Sequence, residues 1–443
     1  MAADASQTSK KIAAETASQP TGSPVGTFIR FGLIAALAAF MLKPYLFKGE
    51  EPPKSQPFAV MGETMGTVWS AQICSDAQTL AQKDFATDAD AEIAKSCEEL
   101  LQRFVQRELD AVDLAASTFK PDSDVSRFNR SQSTEWFPVS ETTAQIVAVA
   151  LDVASKTGGA FDPTVAPLVD LYRFGPNKSP LVSFPTDEQI AKLRERVGYD
   201  KLEVRSEPEP ALRKSIPELT LDLSGVAKGF AVDRVAQALE AAGLPDYLVE
   251  VGGETRCGGQ KARFNFETNA LERSPWRVGI EAPEVATGAQ TQLPRLYRKL
   301  YFDSAARPQA SLATSGDYRN YLQVGDLRFS HLIDPRSGKP TEIVEGGASA
   351  TGERLGAVSV VAENCAEADA LATAFFVLGE KEGLALADKL GLSVLYLFRA
   401  DDSAVEIREA ASQAFGTAVE SEIIAPETPS ADDATQEKTS AAK

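Results

Sequence analysis

Residues 219–233, LTLDLSGVAKGFAVD, constrain the fold of this chain more than any other stretch. A short apolar run ends in Asp222, and Ser224 with Gly225 leads into a helical pattern that carries Lys228. Strand, turn and helix are therefore predicted in immediate succession. A helix N-terminus bordered by glycine offers free backbone N–H groups and a favourable dipole to an anion. A lysine one turn in adds a point charge for a phosphate. An N-capping Ser224, a turn glycine and a solvated lysine account for the same residues without any ligand.

The same alternation runs through the body. Helical spacing covers 89–116, 140–157, 186–197, 229–242 and 366–379, while β-branched runs cover 67–71, 219–221, 247–251, 276–280, 357–361 and 392–396. This mixture predicts an α/β or α+β body over residues 58–400. With 443 residues, 43% of them apolar, the chain has the material to fill such a core.

The ends read differently. Residues 1–26 are rich in Ala, Ser, Thr and Gln and predict a disordered head. Phe31 to Leu42 is unbroken apolar sequence. It is shorter than the roughly 20 residues that span a bilayer, but snorkelling Arg30 and Lys43 bring the segment 27–47 into range as a membrane anchor. A cleaved signal peptide and a buried helix are the other readings. Residues 48–57 form a charged, proline-containing linker, and 401–443 are expected to be a C-terminal extension, largely a disordered acidic tail.

A net charge of −18 repels phosphate backbones, and no basic patch interleaved with aromatics overcomes it, so nucleic acid is not an expected partner. Cys74, Cys97, Cys257 and Cys365 are far apart and contain no CxxC, which excludes a zinc cluster or a thioredoxin-like pair. His331 is the one histidine, so a multi-histidine metal site is excluded and one imidazole is left for general-base work.

Four further constellations carry candidate chemistry. Gly252 and Gly253 follow a predicted strand in VEVGGE, where a side-chain-free backbone admits a ligand or another chain, although a bare turn has the same letters. In the 157–170 loop a flat ring, Phe161, stands beside a carboxylate, Asp162. That pair suits an aromatic heterocycle, or simply a core phenylalanine with a capping aspartate. His331 is joined to Asp334 and Arg336 through a turn, so its imidazole could be held in one tautomer to take a proton from a hydroxyl. Asp369 and Thr373, at i and i+4 of a predicted helix, share one face and offer hard oxygens to magnesium; many exposed helices carry the pair by chance.

In order along the chain, MGETMGT (61–67), STFKPDSDVSRFN (117–129), GGAFDPTV (158–165), DLSGVAKGFAVD (222–233), VGGE (251–254), TSGDYRN (314–320), SHLIDPRSG (330–338) and EADALATA (367–374) make a set that resembles the ApbE family of FAD:protein FMN transferases. The resemblance covers nearly the whole body. It implies a single α/β body in a T-fold-like two-layer arrangement, with Met65, Phe119, Ala160, Phe161, Asp162, Asp222, Lys228 and Ile333 contacting FAD. It further implies magnesium held by the Gly225 carbonyl, Asp369 and Thr373, and His331 helping to activate the acceptor hydroxyl. The implied reaction moves the FMN half of FAD onto a threonine or serine hydroxyl of an exported or membrane-bound redox protein and releases AMP. An N-terminal anchor would then place the body outside the cytoplasmic membrane, on the periplasmic side.

Three departures stand out. Phe119 occupies a position where the family commonly has a tyrosine or other aromatic, and the stretches 286–309 and 345–355 look like insertions. The same site residues would also serve an FAD pyrophosphatase giving FMN and AMP. A non-enzymatic FAD-binding accessory protein is the remaining reading, one that has no need of His331, Asp369 and Thr373.

Overall fold

The computed structural model describes residues 56–424, apart from 76–96, 177–178, 182, 266–267, 269, 285–294, 304–308, 318–320, 325–326, 342, 346–352 and 401–405. The predicted head, the 27–47 segment, most of the linker and much of both expected insertions lie outside the described residues. No helix among the described residues is long and apolar enough to cross a membrane.

The principal strands are β1 (Gln56–Thr64), β2 (Thr67–Ser75), β3 (Tyr247–Val251), β4 (Glu254–Gly258), β5 (Trp276–Glu281), β6 (Leu296–Phe302), β7 (Gln309–Gly316), β8 (Arg354–Ala362), β9 (Ser393–Arg399), β10 (Ile407–Ala411) and β11 (Glu420–Ile423). The main sheet runs β1-β2-β3-β4-β7-β8-β9-β10 with every neighbouring pair antiparallel. On one face lie the long helices α1 (Cys97–Ala116), α2 (Glu141–Lys156), α3 (Ser224–Ala241) and α4 (Cys365–Leu390).

Strand periodicity decides which side chains reach which layer. Trp69, Ala71 and Ile73 of β2 pack with the helices, whereas Cys74 joins a second core on the opposite face. That second core is closed by a smaller sheet, β5-β6-β11, through Trp276, Leu300 and Phe302 against Leu312, Leu395 and Leu397. The expected two layers are therefore extended by a third. Because β9 is covered on both faces, with Val394 and Tyr396 toward the helices and Leu395 and Leu397 away from them, its sequence is an unbroken apolar run. The described cysteines are all free thiols.

Two expectations need correction. Residues 219–221 are not a strand. Asn129 takes the place of a neighbouring strand: its side-chain nitrogen donates to the Leu221 carbonyl (2.8 Å) and its oxygen accepts from the Leu221 N–H (2.7 Å). The folded body also continues beyond residue 400, because β10 extends the main sheet and β11 the smaller one. Acidic residues that suggested a solvated tail instead complement basic residues of β6, where Arg298 Nη2 donates to Glu409 (2.7 Å) and Lys299 pairs with Glu422 (2.6 Å). Phe415 and Val419 anchor the same segment in the second core.

The helix predicted from 229 begins five residues earlier, at Ser224, since apolar periodicity fails where Gly225 and Gly229 face α4. Leu223 occupies the N-cap, so Ser224 is the first helical residue rather than a cap. The helices α3 and α4 are antiparallel. A Cβ on Gly225 would lie 3.3 Å from Thr373 Oγ1, one on Gly229 would lie 2.2 Å from the Cys365 carbonyl oxygen, and Asp233 accepts from the N–H groups of Cys365 (2.9 Å) and Ala366 (2.8 Å). Asp233 thereby caps α4 from a different helix, compensating for Asn364, whose side chain makes no cap. The first helical run of α4 is interrupted at Gly379, whose φ of 71° is non-helical, as the 366–379 prediction implied.

Gly229→Ala tests this contact. Alanine would ordinarily gain about 1 kcal/mol in a helix, but a methyl 2.2 Å from a backbone oxygen cannot be accommodated by rotating a side chain. Net destabilisation on the order of 2 kcal/mol is expected from overpacking. Urea unfolding reads it, and an unchanged or raised midpoint would show that the helices separate without cost.

Candidate active site

The N-terminus of α3 is held from two sides. Asp222 donates its N–H to the Pro163 carbonyl (2.8 Å), and its Oδ1 accepts from the Ser224 N–H (2.8 Å). The carboxylate thus satisfies one of the amides that the helix leaves open at its start. The facing loop leaves α2 through Gly158 (φ 60°) and Gly159 (φ 79°), a left-handed pair that suits glycine, and then buries Ala160 and Phe161.

Asp162 fixes the shape of that loop. Its Oδ1 accepts from the Thr164 N–H (2.8 Å) and hydroxyl (2.7 Å), and its Oδ2 accepts from the Tyr199 N–H (2.9 Å). Burial raises its pKa, against the pull of these donors. Phe161 is pressed over Gly225, where a Cβ would come within 3.1 Å of its ring. Gly225, Phe161 and Thr373 therefore meet at one point.

One turn further along α3, Lys228 reaches two carboxylates. Its Nζ lies 2.9 Å from Glu254 Oε1 and 3.4 Å from both oxygens of Asp369. Both acids are almost wholly buried. Asp369 Oδ2 accepts from the Gly229 N–H (3.0 Å), and Glu254 Oε2 accepts from the Thr314 N–H (3.3 Å). Burial, reinforced by Asp369 and opposed by Lys228, pushes the Glu254 carboxyl up to about 7. Burial alone would lower the Lys228 ammonium, but Asp369 and Glu254 outweigh it and hold it above the ordinary lysine value. Gly252 (φ 60°) walls this corner; a Cβ there would lie 3.0 Å from Thr67 and 3.3 Å from Lys228. Ser315 and Thr373 share a hydroxyl contact of 3.2 Å.

These donors fit a hard cation. A backbone carbonyl at Gly225, a carboxylate at Asp369 and a hydroxyl at Thr373 are oxygen ligands, and magnesium typically takes one or two carboxylates and leaves the rest of its shell to water and substrate phosphates. No group of three or more His, Cys, Asp and Glu capable of holding a metal occurs among the described residues.

The other predicted residues lie outside this corner. Met65, in the left-handed region with φ 49°, and Gly66 (φ 73°) form the two-residue turn joining Thr64 to Thr67. Phe119 is 61% exposed in a turn whose N–H donates to Ser117 Oγ (3.2 Å), an unusual position for a large ring. Next to it opens a cavity of ≈ 230 Å³, lined in part by Thr118, Asn129, Ala166, Asp170, Thr220 and Asp222. Ile333 is buried with Leu168, Tyr172 and Phe329. His331 lies two residues before it, its ring edge-on to Phe174 with centroids 6.1 Å apart. Asp334 is engaged by Arg336, whose N–H (2.9 Å) and Nε (3.0 Å) both donate to it.

Direct contacts thus bring together Phe161, Gly225, Lys228, Asp369 and Thr373, with Ala160, Asp162 and Asp222 in the two loops that frame them. Phe119, His331 and Ile333 belong to other groups, the first on its exposed turn and the other two with the small core around Phe329 and Phe174. Glu254 was missed in the sequence, where VGGE reads as a turn; strand alternation from Arg256, which pairs with Asp233 at 2.6 Å, would have turned it toward the helices.

The ApbE family profile matches residues 65–396. The FAD:protein FMN transferase of Vibrio cholerae is 35% identical over 386 residues, spanning 86% of this chain and 97% of that protein. Its counterpart in Escherichia coli K12 is 34% identical over 380 residues, or 85% of this chain and 94% of that one. Among solved structures, the flavin transferase ApbE from Vibrio cholerae superposes with a TM-score of 0.62 at 33% identity, covering 82% of this chain and 99% of its own. The apo flavinyl transferase ApbE of Pseudomonas stutzeri gives 0.63 at 30% identity, with 83% and 98% covered. Identity of this order along almost the full length of the relatives, on a common fold, establishes that the chain belongs to the ApbE family.

Proposed function

We propose that the chain transfers the FMN half of FAD to a threonine or serine hydroxyl of another protein, with magnesium as its metal and AMP as the leaving group. The observation that carries this reading is the meeting of Gly225, Asp369, Thr373 and Lys228 at the N-terminus of α3. Hard oxygens and an ammonium converge there as a pyrophosphate with its cation requires.

In this reading Gly225, Asp369 and Thr373 hold the metal. Magnesium, when bound, supplies positive charge that offsets the pyrophosphate and the developing charge of the departing phosphate. Lys228 adds a point charge to the same anion, and the 160–162 loop, held in shape by Asp162, lays Phe161 against the site. Met65, Phe119 and Ile333 contact FAD in this reading, and Asp222 keeps the helix start in place. The acceptor oxygen bonds to the FMN-side phosphorus, the bridging P–O bond breaks and the bridging oxygen leaves with AMP. His331 takes the hydroxyl proton.

Exported or membrane-bound redox proteins are the acceptors in this reading, and the 27–47 segment anchors the body on the periplasmic side of the cell membrane. Carbonate washing of membranes checks the anchor. The full chain should stay in the pellet and a chain starting at Phe58 should not; release of both would remove the anchor from the proposal.

Incubation with FAD, magnesium and a candidate acceptor should give a fluorescent acceptor band with an FMN mass increment. EDTA should abolish it, and Asp369→Ala should slow it by about 10² or more, the order expected when a charge-stabilising group is lost. Free FMN and AMP without any adduct would point to hydrolysis instead. His331→Ala should lower the transfer rate by about 10²–10⁴ while leaving FAD affinity nearly unchanged. Equal losses in FAD binding and rate would place His331 in binding rather than proton transfer.

A further inference from the structure

We propose that Glu254 is a positioning residue that holds the Lys228 ammonium away from Asp369 and so leaves that carboxylate available to a divalent cation. This rests on the reading of Asp369 and Thr373 as cation ligands.

Lys228 is shared unequally between its two acids. Its distance to Glu254 Oε1 is 2.9 Å, that of a charge-assisted hydrogen bond, whereas both Asp369 oxygens stand back at 3.4 Å. Glu254 is itself fixed. It opens β4 directly after the Gly252–Gly253 turn, and its other oxygen accepts from the Thr314 N–H at 3.3 Å. Asp369 accepts from the Gly229 N–H on Oδ2 at 3.0 Å and, as a carboxylate with about four lone-pair positions, has acceptor capacity left over.

Charge gives the same answer. A divalent cation on Asp369 would give this buried corner a positive charge ready for a pyrophosphate. With the Glu254 carboxylate replaced by an amide, the ammonium has Asp369 as its one remaining carboxylate partner within this cluster. Ammonium and metal would then compete for the same oxygens. A purely structural Glu254 predicts no such competition, so removal of Lys228 distinguishes the two roles.

The probe is Mn²⁺ alone, titrated calorimetrically into the full chain without FAD. Glu254→Gln, which keeps the shape of the side chain and drops its charge, should weaken Mn²⁺ binding by about 10–100-fold, the range typical of residues behind metal ligands. Lys228→Met added to that variant should restore most of the affinity. Equal Mn²⁺ affinity in the wild type and Glu254→Gln, or a double variant as weak as the single one, would overturn the inference while leaving the metal site intact. Absence of Mn²⁺ binding to the wild type would overturn the metal reading as well. Should Glu254→Gln fail to fold, Lys228→Met alone must bind Mn²⁺ at least as tightly as the wild type, and weaker binding overturns the proposal.

Discussion

The close approach of α3 to α4 sets the geometry on which the rest of the site depends. Gly225, Gly229 and Asp233 recur every four residues along one helix and face Thr373, Asp369 and Cys365 along the other. Glycine is a poor helix residue, by about 1 kcal/mol relative to alanine. Its presence at 229 makes sense because the Cys365 carbonyl occupies the space that a methyl would need. Asp233 then fixes the register by accepting the first amides of α4, and Arg256 beneath it offsets the charge. A slide of one residue between these helices would part Gly225 from Thr373 and Gly229 from Asp369 together.

That packing has an electrostatic consequence. Side chains that a solvated surface would disperse are pressed into one partly dry corner, where a lone charge is expensive and each must find a partner. Lys228 bonds Glu254 and leans toward Asp369. The chain as a whole carries −18, so an anionic dinucleotide approaches against the general field. The proposed cation at Asp369 would reconcile the two, relieving the buried acids and reversing the local sign where the phosphates arrive.

Much of this was legible in the sequence because periodicity reports burial. The β3, β5, β8 and β9 runs and the helices near 97–116, 141–156 and 187–194 sit where alternation or 3.6-residue spacing placed them. The failures share a cause, which is that a partner distant in sequence supplied what local pattern could not show. Leu221 makes strand-like hydrogen bonds to the Asn129 side chain rather than to a strand. Glu409 and Glu422 looked like solvated tail residues until β6 brought Arg298 and Lys299 opposite them. In the site, the order of motifs pointed to Gly225, Lys228, Asp369 and Thr373, which the structure places together. Glu254 was missed, because its meaning depends on which face of β4 meets the helices.

The TSGD segment shows how remote structure supports that corner. Asp317 and Arg399 form a buried two-pronged pair with both contacts at 2.6 Å, and Gly356 leaves room for the guanidinium, which a Cβ there would approach to 2.8 Å. Burying such a pair gains little net stability, because desolvation of two charges offsets most of their attraction. Its effect is geometric. It pins the end of β7 to the end of β9, and from that fixed strand Ser315 meets Thr373 while Thr314 donates to Glu254. The hydroxyl that faces the proposed cation and the acid that holds Lys228 are thus aligned by one strand, whose position depends on an ion pair that touches neither.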